Sequence, residues 1–172
     1  MDFLRECCGD KLILGCGVPL GAAFGKVDAC RTGCDADLKY TGRFYNTLNI
    51  NNEVPSTKNS IINAIFRRHL DGRAFCCDPD VFFLRSSNLT FTKQQKLLLA
   101  AVNNLCGNVL FISDNVDELN DEEIEILKTT FTKNNSRIIS ADMNADKVEI
   151  AYVENMQTKS LKFDIAKGEI YE

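Results

Sequence analysis

Short apolar runs alternate with amphipathic stretches along most of this chain, and that alternation limits its fold more than any single residue does. The runs are Lys11 to Gly15, Val27 to Arg31, Ala74 to Cys77 and Asn108 to Ile112, each the length of a buried strand. Between and after them the spacing changes to that of helices. Ile61, Ile62, Ile65, Phe66 and Leu70 share one face, which predicts a helix from Ser56 or Thr57 to Leu70, stopped by Asp71-Gly72. Thr92 and Gln95 form a capping-box pair ahead of Leu97, Leu98, Ala101, Val102 and Leu105, and that helix ends near Gly107. Asn120 and Glu123 repeat the device before Ile124, Leu127 and Phe131. Val18 to Gly25 is small and apolar, a weak helix or a tight crossover. Residues 2 to 8 read as the last turns of a helix capped by Gly9. Strand and helix in alternation give a parallel sheet with helices outside.

After Asn134-Asn135-Ser136 the period changes to two, in Lys147 to Val153, Leu161 to Phe163 and Glu169 to Tyr171. That pattern predicts an antiparallel meander. A segment that departs from both periods, Ala36 to Lys58, reads as a long loop beyond the second strand, and loops of such length are commonly functional.

The 172 residues are 45% hydrophobic, enough for one domain with a sizeable core. A complete eight-stranded α/β barrel takes about 250 residues, so barrel sequence here would not be all of one. The 20 basic residues are scattered and the net charge is −4, which argues against a nucleic-acid partner. The opening MDFLRECCGD lacks the features of a signal peptide, and no apolar run approaches membrane-spanning length. The expectation is a cytoplasmic protein with no membrane partner, its eight cysteines reduced and buried. The spacing of Cys30 and Cys34 is one residue too long for the usual zinc knuckle, and His69 is the only histidine. No metal is therefore expected; no cofactor is expected either, and His69 reads as a packing or helix-end residue.

The chemistry concentrates in LILGCGVPLGAAFGKVDACRTGCD, Leu12 to Asp35. Two strand ends there deliver a thiol, Cys16, a guanidinium, Arg31, and a carboxylate, Asp35. Cleaving a glycoside needs one carboxyl that protonates the leaving oxygen and a second carboxylate opposite it, and Asp35 is a candidate for the first. Arg31 and Asp35 could equally form a plain ion pair at a loop. Asp78 and Asp80, around Pro79 at the end of the third strand, could be a catalytic pair or a polar support that orients other groups.

The 24-residue string resembles the α-galactosidases of glycoside hydrolase family 36 (melibiases). In that family a strand ending in Gly-Cys-Gly precedes Val-Asp-x-x-Arg-x-Gly-x-Asp, matched here by Gly15, Cys16, Gly17, Val27, Asp28, Arg31, Gly33 and Asp35. The resemblance implies that Asp35 is the general acid/base, that Arg31 holds it and the sugar, and that Cys16 lines the galactose pocket. It implies supporting places for Gly15, Gly17 and Gly33, and puts Asp78 and Asp80 at the pocket's rim as supports. This chain departs at two positions, with Cys30 where the family usually has Met and Cys34 where it usually has Pro. Losing that Pro frees the backbone before Asp35.

The fold implied is the C-terminal half of a TIM (β/α)8 barrel, four β/α units over residues 1–135 as strands five to eight. Residues 136–172 would begin an antiparallel β domain. The resemblance begins at the fifth strand, so the four earlier strands, and with them the Lys-x-Asp strand that bears the family's nucleophile, fall outside it, and there is no Trp to stack on a sugar. The expected protein is thus a fragment of a retaining glycoside hydrolase acting on terminal α-galactosides, with the acid/base but not the nucleophile, and inactive alone. Two alternatives stay open, a non-catalytic half-barrel that binds or associates and a transglycosylase of the raffinose-synthase type. Open edges at the Leu12 and Val109 strands predict a homodimer, or pairing with a missing N-terminal half.

Overall fold

A computed structural model describes residues 1–40, 55–132 and 136–172. Residues 41–54 of the predicted loop, and Asn134 and Asn135 of the predicted boundary, lie outside the described residues.

Helix α1 spans Asp2–Cys8 and ends at Gly9, whose φ of 56° suits a residue without Cβ. Strand β1, Leu14–Gly15, pairs in parallel with β2, Ala29–Arg31, and β2 in turn with β3, Cys76–Asp78. A second parallel pair joins β4, Val81–Phe82, to β5, Phe111–Ile112. Only Pro79 and Asp80 separate β3 from β4. Proline cannot donate to a ladder, and Asp80 has a φ of 80°, so one run of chain breaks into two strands. Its first half serves β2 and its second serves β5. Before β5, the N–H groups of both Asn108 and Val109 donate to the Cys77 carbonyl, at 2.9 and 3.2 Å.

The strands are shorter than their apolar runs, for identifiable reasons. The Ile13 N–H is taken by an oxygen of Asp28 at 2.7 Å instead of a ladder partner, which leaves two residues of Lys11 to Gly15 in β1. Asn108 and Val109, sharing one acceptor, cannot continue β5 backwards.

Helix α2, Leu20–Ala23, is a single turn between β1 and β2. Helix α3, Thr57–Arg67, starts at Ser56, whose hydroxyl accepts from the Asn59 N–H. Its predicted last turn tightens into a 3-10 turn over Arg68–Leu70, a common way for a helix to end. Helices α4, Lys93–Cys106, and α5, Asp121–Phe131, both carry the capping boxes read from the sequence.

The remainder is one antiparallel sheet in simple order: β6 Arg137–Asn144, β7 Lys147–Glu154, β8 Gln157–Asp164 and β9 Glu169–Tyr171. Strand β6 was not foreseen. Its neighbouring Ile138 and Ile139 break the period of two, and a register shift between Ile138 and Ser140 absorbs the break.

The main core joins this sheet to the β/α part. Val148, Ile150, Phe163 and Ile165 bury with Leu98, Leu99 and Val102 of α4, Ile61 and Ile65 of α3, and Phe82 and Leu84. The Tyr40 hydroxyl, itself buried, donates to the Ile165 carbonyl at 3.0 Å. A smaller cluster of Ala23, Val27, Cys30, Phe75 and Cys77 lies under β1 to β3. No helix among the described residues is long and apolar enough to cross a membrane. None of the eight cysteines is in a disulfide, and three, Cys30, Cys77 and Cys106, are buried. Cys7, Cys16 and Cys76 are exposed, contrary to the expectation of buried thiols.

Candidate active site

Arg31 ends β2 and Asp78 ends β3, and the two stand opposite each other in the parallel register. A parallel register brings strand ends level, so residues 47 apart in sequence share one rim. Arg31 Nε lies 3.3 Å from Asp78 Oδ2, Nη2 lies 2.8 Å from Asp80 Oδ1, and Nη1 lies 2.8 Å from Asp35 Oδ1. The side chains of Asp78 and Asp80 are 0% and 4% exposed, that of Arg31 17%, and that of Asp35 64%. The guanidinium is thus fixed from behind by two buried carboxyls and offers one nitrogen to a carboxyl that faces solvent.

Charge and burial compete here. Burial alone would lower the Arg31 guanidinium, but the Asp80 and Asp78 carboxylates outweigh it and raise it further. Arg31 therefore stays charged. Burial raises the Asp80 carboxyl above the ordinary range; the N–H groups of Ala36 and Val81 and the charge of Arg31 offset this only in part.

The segment that bears Asp35 is held at several backbone positions. The Thr32 N–H donates to the Asp78 carbonyl at 3.0 Å and the Ser56 N–H to the Asp35 carbonyl at 2.8 Å. Arg67 donates to the Thr32 carbonyl at 2.5 Å. The Ala36 N–H donates to Asp80 Oδ2 at 2.6 Å, and the Asp37 N–H to the Thr57 hydroxyl at 3.0 Å. A Cβ on Gly33 would stand 3.1 Å from the Asn63 Cβ and 3.5 Å from the Ser60 Cα, so glycine lets the segment run close against α3. Cys34 donates its thiol to the Ser56 carbonyl at 3.4 Å. That contact anchors the residue just before Asp35.

Cys16 follows β1 and is exposed, close enough to Arg31 and to Cys30 to act electrostatically on both. Burial, then Asp78 and Cys16, raise the Cys30 thiol. Gly15 leaves room for the Cys30 sulfur, which a Cβ would approach to 3.2 Å, while Gly17 turns the chain with a φ of 69° in open space. Arg31, Asp35, Asp78 and Asp80 are in direct contact, then, with Cys16 beside them and the glycines shaping the backbone. Sequence reasoning missed Thr32, Ser56, Thr57 and Arg67. Ser56 and Thr57 carried only the signal of a helix start, and nothing in it points to Asp35 some 20 residues away. Among the described residues, no group of three or more His, Cys, Asp and Glu side chains is arranged to hold a metal ion.

No protein-family model matches the sequence. Among solved structures, the α-galactosidase TtGalA from Thermus thermophilus, in complex with p-nitrophenyl α-D-galactopyranoside, matches with a TM-score of 0.72 and 21% identity. The match covers 90% of this chain and 30% of that one. The same enzyme in complex with stachyose matches over 76% of this chain and 28% of that one, with a TM-score of 0.67 and 25% identity. α-Galactosidase I from Mortierella vinacea matches over 85% of this chain and 40% of that one, with a TM-score of 0.63 and 10% identity. The chain spans less than half the length of each of these enzymes, and over that length it has an α-galactosidase-like fold.

Proposed function

We propose that this chain is the acid/base-bearing part of a retaining glycoside hydrolase acting on terminal α-galactosides. Asp35 gives a proton to the departing glycosidic oxygen and later takes one from the water that releases the sugar. Arg31 holds Asp35 and a sugar hydroxyl, and Cys16 contributes to the wall of the galactose site. The observation that carries this reading is the placement of Asp35: an exposed carboxyl, gripped by an arginine locked between two buried carboxyls, at the carboxyl ends of parallel strands. Active sites of α/β barrels lie at that end. The similarity to enzymes bound to an aryl galactoside and to stachyose supports the same substrate class.

Retention requires a second carboxylate as nucleophile, and Asp78 and Asp80 are ill suited to it because both are buried and committed to Arg31. The nucleophile then comes from outside residues 1–172, and with it the strands that complete an eight-stranded barrel. In this reading residues 1–135 form half of that barrel and 136–172 begin the β domain beside it. The exposed apolar side chains at the lateral strands favour such completion, Leu12 and Leu14 at β1 and Phe111 at β5. A second copy of the chain, or the remaining barrel strands, would cover them. A copy alone would supply no nucleophile, so the chain by itself should be inactive.

In an assembly that supplies the nucleophile, Asp35→Ala should slow cleavage of an alkyl α-galactoside by about 100- to 10,000-fold, the usual worth of general acid catalysis. Formation of the glycosyl-enzyme from p-nitrophenyl α-galactoside should fall far less, because an activated leaving group needs no proton. Equal loss on both substrates would remove Asp35 from the acid role. Turnover by the purified chain alone would refute the division of the two carboxylates.

A further inference from the structure

Asp80 spends its two carboxylate oxygens on different partners. Oδ1 takes Arg31 Nη2 at 2.8 Å, and Oδ2 takes the backbone N–H of Ala36 at 2.6 Å. Ala36 is the residue after Asp35, and Arg31 Nη1 holds the side chain of Asp35 itself at 2.8 Å. Four links therefore close on themselves: Asp80 to Arg31, Arg31 to the Asp35 carboxyl, along the chain to the Ala36 amide, and back to Asp80. A carboxylate is planar and rigid, so the arginine and the backbone beside Asp35 keep a fixed offset while both oxygens are engaged.

Asp80 is itself immobilised. Its N–H donates to Asp78 Oδ1 at 2.8 Å, Asp78 belongs to β3, and the Ser60 hydroxyl of α3 donates to the intervening Pro79 carbonyl at 3.0 Å. Its φ of 80° is one that few side chains adopt, and such a conformation persists where its surroundings over-determine it. Three carboxyls and a single guanidinium meet in this cluster, so the arrangement exceeds what pairing one arginine requires. We propose that Asp80 is a positioning residue that ties the Asp35 segment to the rigid end of β3, setting where Asp35 can reach without touching the substrate. Its bearing on catalysis rests on Asp35 being the acid/base, whereas the tie itself does not.

The test measures hydrogen exchange on the whole chain, comparing wild type with Asp80→Asn and Asp80→Ala. Asparagine keeps the shape, tolerates a left-handed backbone and can still accept from Ala36, but it cannot pair with Arg31. Alanine loses both links. Exchange in the peptide covering 33–38 should rise about fivefold in D80N and tenfold or more in D80A, with the peptides of α4 and of β7 to β8 unchanged, because the opening is local. If D80A does not fold, D80N alone decides. A 33–38 peptide that stays within about twofold of wild type in the folded variants, or loosening spread equally to α4, would overturn the tie. In an assembly that turns over α-galactosides, D80N should lower kcat about tenfold while KM moves by less than about threefold, the mark of a misplaced catalytic group. An unchanged kcat beside the expected exchange would deny Asp80 its catalytic bearing. Absence of turnover in every assembly would count against the glycosidase reading alone, leaving the exchange result to stand.

Discussion

At the scale of single residues, carboxyls decide how this chain is put together, and they do so in opposite electrostatic senses. Asp28 accepts from the Ile13 N–H at 2.7 Å and from Arg5 at 2.8 Å, stitching α1, β1 and β2. Those bonds, Arg5 first, hold its carboxyl below the ordinary value near 3.8. A depressed folded value means that this contribution is present above the unfolded value and is lost as pH falls through the folded one. Asp28→Asn should therefore melt earlier than wild type near neutral pH, and the difference should shrink as acid protonates Asp28 in the wild type. Denaturant midpoints across that acid range would read it, and a gap independent of pH would refute it. Asp80 has the other sign, since burial raises its carboxyl, so it favours folding most at low pH. Arg31 and Asp35 were legible in the sequence because four residues of separation, on a motif with a known shape, put them together. The Asp80 link to Ala36 was not, because it joins positions 44 apart through a backbone conformation that side-chain pattern does not encode.

At the scale of elements, legibility followed locality. The α4 and α5 starts were readable because a capping box lies within four residues. β6 was hidden by its bulge, and the ends of β1 and β5 by a side chain and a shared carbonyl from elsewhere in the fold. The alternation of strand and helix showed that the sheet is parallel, but not that Pro79 and Asp80 would divide one run between two neighbours. Gly107 guards that division. A Cβ there would come within 2.7 Å of two ring carbons of Pro79 and 2.9 Å of the Asn103 carbonyl, while its φ of −103° is open to any residue. Substitution by alanine would thus cost only through contact, and Pro79 must move. We expect Gly107→Ala to destabilise the protein by about 1–3 kcal/mol, the usual range for overpacking, and to loosen Asp78 and Asp80 with the proline between them. Thermal melting together with hydrogen exchange across 76–82 would test this; a melt equal to wild type would show that the ring yields freely.

At the scale of the whole molecule, the parallel strands run β1, β2, β3 and then β4, β5, and the outer edges of β1 and β5 are open among the described residues. Leu12, just ahead of β1, is 76% exposed, an apolar side chain where natural edges commonly carry charge or proline. Purified alone at micromolar concentration, the chain should scatter light as a dimer or larger species. Leu12→Lys should shift it toward monomer with little loss of its own stability, since that side chain is already exposed. A wild-type monomer would end the edge-pairing idea. The shared core has a further bearing, on how the chain is made. β6 to β9 pair with immediate neighbours and can zip as soon as they exist, whereas β2 and β3 must wait for partners 47 residues apart, such as Cys30 and Cys77. The apolar face of α4 meets Val148, Ile150, Phe163 and Ile165, all of which leave the ribosome well after it. During synthesis Leu98, Leu99 and Val102 therefore have only their earlier partners, such as Ile61, Ile65 and Phe82, for the time taken to add about 60 residues, several seconds at ordinary elongation rates. For that interval the apolar core of the nascent chain is incomplete.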